Sequence, residues 1–150
     1  YGVPVVVDPK GTDWTKYAYA DYITPNLKEI NQVLAEPIHN EDRAVEVAAH
    51  YVMNRFNIRN VIVTRSEEGL SLIRDDENVH IPTKAQEVFD VSGAGDTVIA
   101  VFAMGLAGGM SPADSAYMAN LAASVVVAKL GTYAVSREEL MAVLKGEAEK

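Results

Sequence analysis

The sequence contains no cysteine, which excludes disulfides and thiolate metal sites in this chain. Basic residues are also few, because 13 Lys and Arg face 21 Asp and Glu, for a formal net charge of −8. So acidic a chain lacks the basic surface that nonspecific nucleic-acid or anionic-membrane binding needs, and neither partner is expected. The longest apolar stretch, residues 97–107, is too short to span a bilayer. We therefore expect a protein of a reducing compartment, the cytoplasm.

The composition that is present is that of a globular protein with a sizeable core. Of 150 residues, 49% are hydrophobic and 23% are charged. The chain lacks an initiator Met and enters the strand-like run "VPVVVD" almost at once. Because buried strands need neighbours on both sides, we expect a piece of a longer protein that self-associates or pairs with its missing half.

Alternating strand and helix patterns predict an α/β fold. Apolar runs bounded by turn residues predict strands at 3–7, 21–24 and 60–65 and an antiparallel edge hairpin at 69–75 and 78–83. Apolar spacings of three and four predict helices at 26–36, 40–56, 96–106 and 111–130, and one that begins at Ser136. Asn40 and Ser111 are the expected N-caps, Ser136 and Glu139 form a capping-box pattern, and Gly131 is expected to end its helix. Helices between strands imply a parallel sheet.

The segment "DVSGAGDT", residues 90–97, combines two glycines with two acids just before a helix. Glycines allow positive φ and close approach of a ligand, and N–H groups at a helix start attract anions. Gly93, Ala94 and Gly95 therefore predict an anion hole. Asp96 would repel a phosphate unless it accepts a proton or holds a metal, which is the arrangement of a phosphoryl transferase. The alternative is that Asp96 only caps a helix and the glycines only turn.

Four segments together resemble the ribokinase-like (PfkB) carbohydrate kinases: "DVSGAGDT", "TPNLKE", "VTRSEEG" and "ANLAASVVVAKLGT". The resemblance implies a ribokinase-like, Rossmann-type parallel sheet with flanking helices. It also implies that residues 1–150 are the C-terminal, ATP-binding half of the kinase domain. The sugar-binding half with its lid would then be absent, and this chain alone would be a poor or inactive kinase.

The family's motifs assign roles at the glycine loop and in "TPNLKE". Asp96 resembles the catalytic base, which deprotonates the sugar hydroxyl that attacks the γ-phosphoryl group of ATP, while the loop N–H groups hold the transferring group. Asn26 and Glu29 match the Asn-x-x-Glu element that organises magnesium and phosphates. The alternative for this pair is a helix cap with its capping-box partner.

The remaining assignments follow from the other two motifs. The nucleotide-binding positions implied are Thr64, Ser66, Gly69, Asn120 and Gly131. Many relatives carry Gly where this chain has Ser66. Thr64 is otherwise an ordinary strand residue, Asn120 a satisfied core group and Gly131 a C-cap. Asp90 and Ser92 match positions that bind a monovalent cation in several relatives, which predicts potassium, although Asp90 alternatively braces the loop.

The stretch "DPKGTD" is closer to one branch of the family, the heptose 7-phosphate kinases, alone or joined to an ADP-heptose synthase. That resemblance implies phosphorylation of D-glycero-D-manno-heptose 7-phosphate to the 1,7-bisphosphate, on the route to lipopolysaccharide core heptose, with ATP and Mg²⁺. The alternatives are another sugar or nucleoside as substrate, or a non-catalytic nucleotide-binding module.

Overall fold

A computed structural model describes residues 2–85, 88 and 90–148 of the protein. The chain divides into two units, Tyr1–Pro82 and Thr83–Lys150. The first unit contains all the strands of the described residues, and the second contains three helices.

The first unit is built on a five-stranded sheet in sequential order. Its strands are β1 (Val6–Val7), β2 (Tyr22–Ile23), β3 (Val61–Thr64), β4 (Leu70–Ile73) and β5 (Asn78–Ile81). The first three strands are parallel, and β4 and β5 are antiparallel to their neighbours. The α/β class, the parallel sheet and the edge hairpin are therefore confirmed. The strand predicted at 3–7 is shorter, because only Val6 and Val7 pair with β2 in strand register.

The first unit also contains two helices, α1 (Leu27–Val33) and α2 (Asp42–Phe56). Helix α2 packs against β3 and β4, and α1 packs against α2. One face of α2 is buried, as its apolar spacing predicts, and joins a core that includes the fully buried Trp14 and Ile30. The predicted extent of α1 is wrong at its C-terminal end, since Leu34 already has extended backbone angles (φ −91°, ψ 151°).

Asn40 is not the N-cap of α2, contrary to the prediction. The cap position is Glu41, which makes no side-chain capping bond. The Asn40 side chain is engaged elsewhere: its amide donates to the Arg65 carbonyl (3.0 Å) and its carbonyl oxygen accepts from Arg65 Nε (2.8 Å). A long-range partner thus outcompetes the local cap.

The second unit contains α3 (Ala94–Ala107), α4 (Pro112–Val127) and α5 (Arg137–Ala148). Ser111 caps α4, since its hydroxyl accepts from the Asp114 N–H (3.1 Å). The capping box at α5 is also confirmed: the Glu139 N–H donates to Ser136 Oγ (3.1 Å) and the Ser136 N–H donates to Glu139 Oε2 (3.0 Å). Gly131 does not end α4, which ends at Val127.

The contact between α3 and α4 depends on a glycine. A Cβ on Gly105 would lie 2.5 Å from Ser115 Oγ and 2.8 Å from Ser115 Cβ, so only a glycine fits at this crossing. Among the helices that the structure describes, none has the length and apolar character needed to cross a membrane.

Candidate active site

In the first unit, the ends of β2 and β3 bring two of the predicted motifs side by side. Asn26 and Thr64 form an isolated parallel bridge just beyond the strand pairing, and the Thr64 N–H donates to the Pro25 carbonyl (3.0 Å). The Asn-x-x-Glu element and the "VTRSEEG" turn are therefore neighbours. They lie at the carboxyl ends of parallel strands, where ligands bind in open α/β sheets.

Asn26 and Glu29 form a complete capping box at the start of α1. Asn26 Oδ1 accepts from the Glu29 N–H (2.8 Å), and Glu29 Oε2 accepts from the Asn26 N–H (2.9 Å). The other carboxylate oxygen, Glu29 Oε1, lies 3.3 Å from Lys10 Nζ. The capping alternative is thus present in the structure, and the role of the pair toward magnesium and phosphates stays a prediction.

The "DPKGTD" loop presents Lys10 to this carboxylate. Its ammonium also lies 3.0 Å from Asp8 Oδ2, and the hydrogen bond to Asp8 is the main reason why the pKa of Lys10 is raised. The Tyr17 hydroxyl accepts from the Lys10 N–H (3.0 Å), and the indole N–H of the fully buried Trp14 donates to the Gly11 carbonyl (2.9 Å). These hydrogen bonds order the loop and keep Lys10 beside Glu29.

The turn after β3 borders a pocket. Ser66 lines this shallow cavity of about 650 Å³ together with Asn26, Leu27, Lys28, Asn31 and Gln32. Ser66 has φ +53° and Gly69 has φ +83°, so the turn holds a non-glycine residue in the left-handed region. Thr64 and Gly69 do not line the pocket; Thr64 continues the sheet, and the Gly69 N–H closes the turn onto the Ser66 carbonyl (3.0 Å).

In the second unit, the glycine loop leads into α3 as the sequence predicts. Gly93 is the N-cap, with φ +79°, and Asp96 lies exposed in the first turn. The Ala94 N–H donates to the Val91 carbonyl (3.3 Å), so Ala94 is less available as a donor than predicted. Among the described residues, the N–H groups of Gly93 and Gly95 have no acceptor, as is usual for a helix start.

Asp90 braces this loop. Its Oδ1 accepts from the Ser92 N–H (2.8 Å) and its Oδ2 accepts from the Gly131 N–H (3.2 Å). The hydrogen bonds from Ser92, and then that from Gly131, lower the pKa of Asp90. A carboxylate has about four lone-pair sites, so this bracing leaves capacity for an ion. Binding of potassium by Asp90 and Ser92 stays a prediction.

The two positions predicted near adenine differ in exposure. Asn120 is only 6% exposed within α4, which favours the packed-core alternative for its side chain. Gly131 is exposed, with φ +75°, and lies beside the glycine loop through its bond to Asp90. Roles for both in nucleotide binding remain predictions.

The described residues include no cluster of three or more His, Asp or Glu that could hold a metal. A single carboxylate is nonetheless enough for magnesium, because Mg²⁺ keeps several waters and is commonly held by one or two carboxylates and substrate phosphates. Glu29, 21% exposed in its side chain, is the carboxylate that would meet such an ion. Magnesium, when bound, would neutralise charge on the phosphate groups.

Residues 2–139 match the family described as pfkB family carbohydrate kinase. The chain belongs to this family. A relative among curated proteins, the bifunctional protein HldE of Trichlorobacter lovleyi, is 49% identical over 146 residues. The match covers 97% of this chain and 30% of that relative.

Solved structures place the chain in the ribokinase-like fold. The Thermotoga maritima ribokinase is 31% identical with a TM-score of 0.84, over 97% of this chain and 50% of that one. The Arabidopsis thaliana ribokinase, solved with ribose and ATP, is 26% identical with a TM-score of 0.86, over 96% of this chain and 48% of that one. The recognition of the family and of the ribokinase-like fold is confirmed, and the chain spans about half the length of these structures.

Sequence reasoning missed one residue of this region, Arg65. It follows β3 directly and is only 2% exposed, with Asn40 as one of its partners. A single arginine in a turn carries no sequence signal, because its partners lie 6 to 25 positions away along the chain.

Proposed function

We propose that this chain is the ATP-binding half of a sugar kinase. The observation that carries the proposal is the start of α3, where the exposed carboxylate of Asp96 follows Gly93 and Gly95, whose N–H groups have no acceptor among the described residues. Membership of a carbohydrate kinase family supports the same reaction class.

The chemistry assigns one role to each part of this segment. Asp96 accepts the proton of the sugar hydroxyl while that oxygen forms a bond to the γ-phosphorus of ATP. The bond from this phosphorus to the β,γ-bridging oxygen breaks, and ADP leaves. The N–H groups of Gly93 and Gly95 donate to the transferring phosphoryl oxygens, where they act without side-chain charge.

The nucleotide and its ions are assigned to the other predicted residues. Asn26 and Glu29 organise Mg²⁺ and the phosphates, and Ser66, at the pocket, contacts the nucleotide with support from Thr64 and Gly69. Asn120 and Gly131 are assigned to the adenine region, and Asp90 with Ser92 to potassium.

The proposed substrate is D-glycero-D-manno-heptose 7-phosphate, phosphorylated at its anomeric hydroxyl. The support is the 49% identity to the bifunctional protein HldE across nearly the whole chain and the resemblance of the "DPKGTD" loop to the heptose kinase branch. We further propose that the sugar contacts lie in the part of the protein that precedes this chain, so that the fragment alone is inactive and pairs with that part.

The test is Asp96→Asn in the full-length protein, assayed with ATP and heptose 7-phosphate. Loss of the base is expected to lower kcat by about 10² to 10⁴, while ATP binding by calorimetry is retained. Asp114→Asn is the matched control, because Asp114 is an exposed acid in the first turn of α4 and should leave kcat unchanged. An Asp96→Asn enzyme with the kcat of the wild type would overturn the proposed role and favour a non-catalytic module.

A further inference from the structure

Arg65 is one of the few charged or polar residues of the described chain that is buried, with 2% of its surface exposed. It lies between the end of β3 and the turn that carries Ser66. Burying a guanidinium costs free energy unless its donors are hydrogen-bonded. The hydrogen-bond partners of Arg65 therefore indicate which segments of the chain it connects.

The Arg65 side chain collects acceptors from three separate segments. Its Nε donates to Asn40 Oδ1 (2.8 Å), and its Nη1 donates to Asp42 Oδ1 (2.6 Å) and to Ser71 Oγ (3.0 Å). The hydrogen bond from Arg65 holds the pKa of Asp42 below its ordinary value. The segment before α2, the first turn of α2 and strand β4 are thereby joined at one guanidinium.

A second layer extends this network to the edge strand. His80 Nδ1 lies 2.8 Å from Ser71 Oγ, and His80 Nε2 lies 2.8 Å from Glu46 Oε1. A neutral imidazole with its proton on Nε2 satisfies both contacts, because it donates to Glu46 and accepts from the Ser71 hydroxyl. Ser71 then accepts from Arg65 and donates to His80, so each contact of the chain has a donor and an acceptor.

The backbone of Arg65 is held as firmly as its side chain. Its N–H donates to the Gly69 carbonyl (2.8 Å), and its carbonyl accepts from Asn40 Nδ2 (3.0 Å) and the Glu68 N–H (3.1 Å). These bonds close the turn in which Ser66 adopts φ +53°. A non-glycine residue in the left-handed region persists when its surroundings over-determine it.

We propose that Arg65 is a positioning residue for the nucleotide: with Asn40 it fixes the turn that places Ser66 at the pocket, without touching the ligand itself. The inference rests on the proposed function, because it takes the pocket beside Ser66 as part of the nucleotide site. An apolar side chain could fill the same space at no cost of charge burial. Only the polar network supplies hydrogen bonds of fixed direction, which orient the Arg65 carbonyl and guanidinium and so fix the turn.

The test uses Asn40→Ala in the full-length protein. This change removes both bonds between Asn40 and Arg65 while Arg65 keeps Asp42 and Ser71 as partners. The dissociation constant for MgATP, by calorimetry, and KM for ATP are expected to rise about tenfold or more, by analogy with the loss of an outer-shell partner that orients a metal ligand. The kcat at saturating ATP and KM for the sugar are expected to stay close to those of the wild type.

Asn60→Ala is the matched control. Asn60 lies at the opposite end of β3, and its side-chain amide donates to the Asp21 carbonyl (2.8 Å), so it is also an asparagine that ties down a distant backbone carbonyl. Its loss should lower Tm as Asn40→Ala does, with no change in MgATP affinity. Arg65→Lys, which keeps the charge but not the planar set of donors, should weaken MgATP binding in the same way as Asn40→Ala.

Two results would overturn the positioning role and are separable from failure of the proposed function. If the wild type binds MgATP and Asn40→Ala binds it equally well, the positioning role fails and the kinase proposal stands. The role also fails if Asn60→Ala weakens binding as much as Asn40→Ala, because the effect then follows general stability. If the wild type itself does not bind MgATP, both proposals fail.

Discussion

Gly95 allows a test that separates the needs of folding from those of catalysis. It is the second residue of α3, its φ is not positive, and a Cβ built on it meets no atom within 4 Å. Nothing in the described fold therefore requires a glycine here. Because Ala is the better helix former by up to about 1 kcal/mol, Gly95→Ala should leave the free energy of unfolding unchanged or raise it slightly.

The same substitution should damage phosphoryl transfer. If the transferring phosphoryl group approaches the Gly95 N–H, the new methyl group stands in the space that the ligand uses. A displacement of the reacting group by about 1 Å can cost on the order of 10² in rate. We expect kcat of the full-length protein with ATP and heptose 7-phosphate to fall by about that factor, while Tm stays the same or rises.

Gly146→Ala is the control for the stability effect. Gly146 lies exposed on α5, and a Cβ there also meets nothing within 4 Å, so Tm should respond similarly and kcat should not change. Wild-type kcat in Gly95→Ala would show that no ligand approaches this N–H group. A marked loss of stability would instead show that the glycine serves the fold.

Two further predictions concern the second unit. Gly105→Ala should destabilise by about 1–3 kcal/mol in urea denaturation, because its Cβ overlaps Ser115 where α3 meets α4; unchanged stability would contradict that crossing. Glu139 has a pKa lowered to about 2, chiefly by the hydrogen bond from the Ser136 N–H and then by the Tyr133 hydroxyl. A carboxyl group whose pKa is lower in the folded than in the unfolded state stabilises the fold at pH values above the unfolded pKa of 4.5. This stabilisation is lost as the pH falls toward 2. The stability difference between the wild type and Glu139→Gln should therefore shrink over that range in urea titrations, and a difference independent of pH would refute the assignment.

The features predictable from the sequence are those whose causes are local. The Ser111 cap and the Ser136–Glu139 box follow from hydrogen bonds between residues three positions apart, and both are confirmed. The glycine loop is equally local, since Gly93 has the positive φ that its residue type allows. The β5 hairpin and the buried face of α2 follow from apolar spacing alone.

The two errors in predicted helix caps arise where a distant partner competes with a local one. Asn40 is a residue type that favours the N-cap position. Its side-chain nitrogen and oxygen are instead both hydrogen-bonded to Arg65, 25 positions away. Gly131 is a residue type that favours a C-cap, but it lies beyond the end of α4. Its N–H donates to Asp90, which is 41 positions away. The two partners of each pair lie too far apart in the sequence for a local pattern to include both. The sequence therefore suggests a cap from the residue type alone and does not predict the actual partner.

The two interpretations of Glu29 need not compete, because its two carboxylate oxygens have different partners. Oε2 serves the cap of α1, whereas Oε1 meets the Lys10 ammonium at 3.3 Å. The Lys10 side chain is 69% exposed, and ion pairs in so much solvent contribute about 0–1 kcal/mol. Lys10 would therefore give up Oε1 to a magnesium ion, or to a water bound to it, at small cost, and the cap would stay intact. Asn26 and Glu29 would thus keep capping α1, while the second carboxylate oxygen of Glu29 would be available to a magnesium ion bound with the nucleotide.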